Sequence, residues 1–167
     1  MFKDYTILLV EDDIEMQKYM NLILKDECSK LFIASNGKEG FEIYKSYSPD
    51  IIISDLNMPE VDGLSMCRDI KKNNLSQLII LFTGHGDVVK LGKAINIGVD
   101  AFISKPILDI NILFDSIKKL IKQVNYNKEI NHIKKKVFEQ EREVENLITQ
   151  VLYDNNDYIN YDLFQEN

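Results

Sequence analysis

The sequence predicts an α/β protein built on a doubly wound, five-stranded parallel sheet, and three observations predict it. Five short apolar runs alternate with segments whose apolar residues recur at helical spacing. Two of the runs, Tyr5–Val10 and Ile51–Ile53, lack in/out alternation, as strands covered on both faces do. Acids end those same runs: Glu11-Asp12-Asp13 follows the first and Asp55 the third, where open parallel sheets carry their ligands. Short connections and five βα units fit an open sheet, because a closed barrel needs eight.

The elements follow in order. Tyr5–Val10 is the first strand, and Met16, Tyr19, Met20, Ile23 and Leu24 mark a helix after the acid-rich turn. Leu31–Ala34 reads as a short second strand, Asn36-Gly37 as a turn, and Phe41, Ile43 and Tyr44 as a helix closed by Ser48-Pro49. Ile51–Asp55 is the central strand, stopped by Met58-Pro59. Leu64, Cys67 and Ile70 give a third helix, and Gln77–Phe82 a fourth strand that ends at Thr83-Gly84-His85-Gly86. Val88, Val89, Leu91, Ala94 and Ile95 form a fourth helix ended by Gly98; Ala101–Ser104 is the fifth strand, leading to Lys105-Pro106. Asp109 caps a fifth helix with the stripe Ile110, Leu113, Ile117, Leu120 and Val124.

Composition narrows the function. The chain has 167 residues, 45% apolar and 28% charged, room for one core of about 120 residues and a remainder. No run approaches the length of a membrane span and no signal-peptide core precedes the first strand, so a cytoplasmic protein is expected. Cys28 and Cys67 form no metal or disulfide framework. A net charge of −7 disfavours general nucleic-acid binding.

If strands one, three, four and five end on one rim, Glu11, Asp12, Asp55, Thr83 and Lys105 converge. Two carboxylates about 4 Å apart repel by roughly 4 kcal/mol at an effective dielectric near 20, so gathered acids need a cation. Mg²⁺ suits such a set, since it takes one or two carboxylates and completes its shell with water and phosphate. A phosphoryl group would then fit between the metal and Lys105, with Thr83 donating to one of its oxygens. Taken singly, Asp55 could be a turn or capping acid, Thr83 a turn cap, Phe102 plain core and Lys105 a solvated strand end.

Over residues 1 to about 124 the sequence resembles the receiver domain of bacterial two-component response regulators. Leu9-Val10-Glu11-Asp12-Asp13 is similar to the family's acidic motif, and Asp55-Leu56-Asn57-Met58-Pro59-Glu60-Val61-Asp62-Gly63 to its phosphoacceptor loop. Thr83-Gly84 resembles its switch hydroxyl pair and Lys105-Pro106 its terminal motif, in which the peptide is typically cis. The resemblance implies a flavodoxin-like strand order 2-1-3-4-5 and a phosphoacceptor switch rather than an enzyme with turnover. It implies Asp55 as the nucleophile that takes a phosphoryl group from a sensor histidine kinase. Glu11, Asp12, Asp55 and the Asn57 backbone carbonyl would hold Mg²⁺, Asp13 would start a helix, and Thr83 and Phe102 would be the switch pair. His85 reads as a loop histidine near the pocket.

Three rivals stand beside this reading. Phosphatases of the haloacid dehalogenase type also phosphorylate an Asp, but want a second Asp two residues on, where this chain has Asn57. A flavin carrier needs a first loop that cradles phosphate, which Glu11-Asp12-Asp13 would repel. A receiver-like scaffold that never turns over phosphate remains, although no residue visibly disables the pocket.

Residues 125–167 match no receiver and form a helical extension, either a coiled coil or a linker to an output domain. Ile130, Ile133, Val137, Gln140, Val144, Leu147 and Val151 repeat in 3-4 spacing, which predicts a helix over 128–152 and a parallel homodimer. The step from Val124 to Ile130 is six residues, not seven, turning the apolar face by about 100°. A helix folded back on the receiver, or one capping an output domain, is the alternative. Lys134-Lys135-Lys136 reads as a solvated face, since the next thirty-one residues carry eight acids and one arginine. His132 lacks the context of a kinase phosphoacceptor. Asp154–Asn167 reads as a disordered tail or the opening of an output domain.

Overall fold

The computed structural model describes residues 2–84 and 86–163, with side chains as far as residue 152. Strands and helices alternate: β1 (Phe2–Val10), α1 (Ile14–Leu24), β2 (Cys28–Ala34), α2 (Gly37–Tyr47), β3 (Ile51–Asp55), α3 (Gly63–Asn73), β4 (Leu78–Thr83), α4 (Val88–Ile97), β5 (Ala101–Ser104) and α5 (Ile110–Leu163). All five strands are parallel, in the order β2-β1-β3-β4-β5. The fold is therefore the expected one.

The apolar runs are buried because β1, β3 and β4 lie inside the sheet with helices on both faces. Leu8, Val10, Ile52, Ile79 and Leu81 share one core cluster with Leu64, Met66, Cys67 and Ile70 of α3 and Ala94 of α4, flanked by Phe41 and Tyr44 of α2. Strand alternation turns Ile7, Leu9, Ile53, Ile80 and Phe82 to the opposite face, served by Met20 and Leu24 of α1 and Leu113 and Ile117 of α5. Phe2 and Phe114, with ring centroids 5.9 Å apart, tie β1 to α5.

Several element ends differ from the sequence reading, each for a local reason. β1 and β2 begin three residues earlier than their apolar runs, at Phe2 and Cys28, with an irregular register between Phe2 and Thr6 that polar Lys3 and Asp4 do not betray. Asn36-Gly37 is a helix start rather than a turn. Asn36 caps α2 by accepting from Glu39 N at 2.9 Å, and Gly37 opens the helix against Val61 O, where a Cβ would sit only 2.5 Å away. Gln77 precedes β4; its buried amide donates to Pro49 O at 2.9 Å and Asp50 O at 3.1 Å.

By its internal contacts the chain separates into two compact units, Met1–Leu120 and Ile121–Asn167. Helix α5 begins where Asp109 accepts from Asn111 N at 2.9 Å, as expected of a cap. It has no break at Asn125-Tyr126-Asn127 and runs to Leu163. The acidic segment expected to be disordered or to open an output domain is thus helical to Leu163, and residues 164–167 lie outside the described residues. No helix among the described residues is long and apolar enough to cross a membrane.

Candidate functional site

The rim formed by the C-terminal ends of the strands collects the predicted residues. β1 delivers Glu11 and Asp12 directly past its last residue, and β3 delivers Asp55 as its own last residue. In the β3–β4 register Asp55 lies opposite Phe82, so Thr83 stands one step beyond it; Thr83 in turn pairs with Ser104, which places Lys105 next on the rim. Lys105 N donates to Thr83 O at 2.7 Å, and the Lys105–Pro106 peptide is cis, as the resemblance implied.

Side-chain geometry tightens this group. Lys105 Nζ donates to Glu11 Oε2 at 2.8 Å and to Asp55 Oδ2 at 2.8 Å. One carboxylate oxygen of each of Glu11, Asp12 and Asp55 lies within 4.8 Å of the others. Glu11 is 1% exposed and Asp55 9%, whereas Asp12 faces solvent. Burial pushes the Glu11 carboxyl above its ordinary range, and the nearby Asp55 charge adds to that against the pull of Lys105. Burial alone would lower Lys105, but its hydrogen bonds to Asp55 and Glu11 outweigh that and hold the ammonium above its usual value.

This set fits a hard divalent cation. All the donors are oxygens, and three carboxylates against one ammonium leave two negative charges in a partly buried pocket. Asp13, the third acid of the loop, is not among the clustered groups. It caps α1 by accepting from Glu15 N at 2.8 Å and Met16 N at 2.9 Å.

The loop after β3 is held close to Asp55. Asn57 N lies 3.4 Å from Asp55 Oδ1, and Ser54 Oγ donates to Asp55 O at 2.8 Å. At Gly63, which opens α3, a Cβ would fall 2.0 Å from Asp55 O, so only glycine lets the helix close over the acceptor strand. Asp62 caps α3 by accepting from Ser65 N at 2.7 Å. Phe102 pairs with Leu81 in the sheet and is half-buried against the core cluster. His85 lies outside the described residues.

Sequence reading missed one cluster. The Asn57 side chain donates from Nδ2 to both oxygens of Asp87, at 3.0 and 3.1 Å, and accepts from Lys90 Nζ. Asp87 also accepts from Gly84 N at 2.7 Å. The Asn57 hydrogen bond holds the Asp87 carboxyl below its ordinary range. Thirty residues separate the partners, and no spacing rule connects them.

The comparisons with known proteins agree with the geometry. Residues 7–118 match the response regulator receiver domain family. The chemotaxis protein CheY of Halobacterium salinarum is 37% identical over 100 residues, 60% of this chain and 83% of that protein. The transcriptional regulatory protein GlrR of Escherichia coli is 32% identical over 117 residues, 70% of this chain but only 26% of that relative's length. Among solved structures, a response regulator receiver domain protein of Clostridium thermocellum superposes with a TM-score of 0.68 at 27% identity, covering 73% of this chain and 98% of that one. The receiver domain of a signal transduction histidine kinase from Syntrophus aciditrophicus gives 0.65 at 31% identity, covering 72% and 92%. With the family matched across most of the chain and the same fold in solved relatives, the chain belongs to the response regulator receiver domain family of two-component signalling.

Proposed function

We propose that Asp55 is the phosphoacceptor of this receiver, and the observation that carries the proposal is the Lys105 ammonium shared by Asp55 and Glu11 at 2.8 Å each. An Asp55 carboxylate oxygen attacks the phosphorus of a phosphohistidine on a sensor histidine kinase in the cytoplasm. A phosphorus–oxygen bond forms, the phosphorus–nitrogen bond breaks, and the imidazole leaves neutral because its other nitrogen carries a proton. Lys105 neutralises charge on the acyl phosphate, and the Thr83 hydroxyl donates to a phosphoryl oxygen. Mg²⁺, held by Glu11, Asp12, Asp55 and the Asn57 carbonyl, would supply charge compensation on the phosphoryl oxygens.

Thr83 drawn toward the phosphoryl group lets Phe102 move inward and alters the surface of α4, β5 and α5, a local charge change that biases a packed element. The chain acts as a switch that catalyses only its own phosphorylation and dephosphorylation. Asn57, where the haloacid dehalogenase chemistry needs an acid, is engaged with Asp87 and Lys90 and supports that view. No direct contact with nucleic acid belongs to this reading, and residues 128–152 supply a homodimer contact.

Incubation with Mg²⁺ and acetyl phosphate tests the assignment. One hydroxylamine-sensitive phosphate per chain is expected, lost in Asp55→Asn, and Asp12→Ala should weaken Mg²⁺ binding. Labelling retained in Asp55→Asn overturns the proposal.

A further inference from the structure

Asp87 stands immediately before α4, and Asp is among the residues best suited to cap the free amides of a helix's first turn. Its carboxylate makes no such bond. It turns back instead, accepting from Gly84 N at 2.7 Å and from Asn57 Nδ2 at 3.0 and 3.1 Å, while Lys90 closes the group by donating to Asn57 Oδ1. Asn57 follows Asp55 by two residues with its amide 3.4 Å from Asp55 Oδ1, and Gly84 directly follows Thr83. One carboxylate therefore ties the loop after β3 to the loop after β4, beside the acceptor and the hydroxyl, and leaves the start of α4 without its cap.

We propose that Asp87 is a positioning residue for phosphotransfer, a latch that is closed onto Asn57 and Gly84 in the unphosphorylated protein and swings to cap α4 once Asp55 is phosphorylated. The proposal rests on Asp55 as acceptor. A phosphoryl group brings nearly two negative charges and three strong acceptor oxygens to the rim. Those oxygens repel the Asp87 carboxylate and compete for the Gly84 amide that it now engages and for the Lys90 ammonium that now donates to Asn57. The displaced carboxylate has somewhere to go: the first-turn amides of α4, to which it makes no bond now, at the positive end of that helix dipole. Both positions satisfy the carboxylate, which is what a two-state element requires.

Amide spectra of the ¹⁵N-labelled full chain test both positions. Without phosphate, Asp87→Ala should move the Gly84 amide resonance upfield, since it loses a short bond to a carboxylate. After acetyl phosphate and Mg²⁺, with phosphorylation confirmed by intact mass, the Val89 and Lys90 amides of the wild type should exchange about tenfold more slowly, and those of Asp87→Ala should not. Asp87→Ser separates latch from simple loop support, because serine caps helices but has one oxygen and less reach toward Asn57. Its α4 amides should be protected without phosphate, and it should take phosphate about fivefold faster than the wild type. A Gly84 resonance unmoved in Asp87→Ala overturns the closed position. Val89 and Lys90 exchange unchanged on verified phosphorylation, or slower phosphorylation of Asp87→Ser, overturns the switch. A chain that takes no phosphate overturns the assignment of Asp55 and the open position with it, while the Gly84 resonance still reports the closed one.

Discussion

Cys67 is fully buried on α3, in the same apolar cluster as Leu56 and Met58 of the acceptor loop, and burial pushes its thiol up to about 12. Desolvation outweighs the nearby Lys71, which alone would lower it. The folded state therefore keeps a proton that the unfolded chain releases near its ordinary value of 9.0. The raised value means that stability is intact below about pH 9 and is lost as pH climbs toward 12. Between pH 9 and 11 the wild type should lose about 2 kcal/mol more than Cys67→Ala, read from urea unfolding at each pH. Equal losses in the two proteins would mean that the thiolate is tolerated in the core. Glu11, Asp12, Asp55 and Lys105 were legible as candidate site residues because each stands just past, or ends, an apolar strand run, where chain position implies location. Asp87 and Lys71 were not. Asp87 acts through a side chain turned toward a loop thirty residues away, and Lys71 is buried with its ammonium donating to Asp100 Oδ2 at 3.0 Å and to Leu75 O at 3.1 Å, Asp100 Oδ2 also accepting from Ile79 N at 2.9 Å.

Element ends, more than element cores, separate the sequence reading from the structure. Strand interiors announce themselves by continuous isoleucine and leucine, while ends are set by single caps and turns that compete with near-equal alternatives. Asn36 illustrates this: Asn-Gly is a common turn pair, yet here Asn36 caps α2 because Gly37 N can also donate to Val61 O at 3.0 Å. At the other end of α2, Ser48 takes a left-handed conformation, φ 46°, as Ser48 N donates to Tyr44 O at 2.9 Å and Pro49 follows. Glycine is the residue suited to that position, since a side chain there meets the backbone. Ser48→Gly should stabilise the protein by about 1 kcal/mol, seen as a higher urea midpoint with an unchanged slope. A midpoint that stays or falls would show that Ser48 contributes more than its backbone strain costs.

Taken whole, the chain is a receiver with a second unit that is one helix over its described length, and none of that unit's described side chains is buried. Ile133, Val137, Val144, Leu147 and Val151, all at predicted seam positions, are 46–61% exposed. A stripe of that kind on a single helix is stabilised by pairing with a like stripe, and a second copy of the same helix offers one. Valine and isoleucine at a with leucine at d favour two parallel strands. The flanking charges agree: in parallel register Glu129 at g faces Lys134 at e of the partner, and Lys136 at g faces Glu141 at e. In such a dimer Gln140, at the remaining d position, would fix which layers align at some expense in stability. Sedimentation of the full chain at micromolar concentration should show a dimer, and a chain ending at Val124 a monomer. Lys136→Glu places like charges opposite each other at two symmetric sites and should weaken the dimer about tenfold, while adding Glu141→Lys to it should restore the affinity. Monomers for both lengths, with or without phosphate on Asp55, would exclude the coiled coil. A dimer indifferent to Lys136→Glu would mean that the helices pair in another register or orientation.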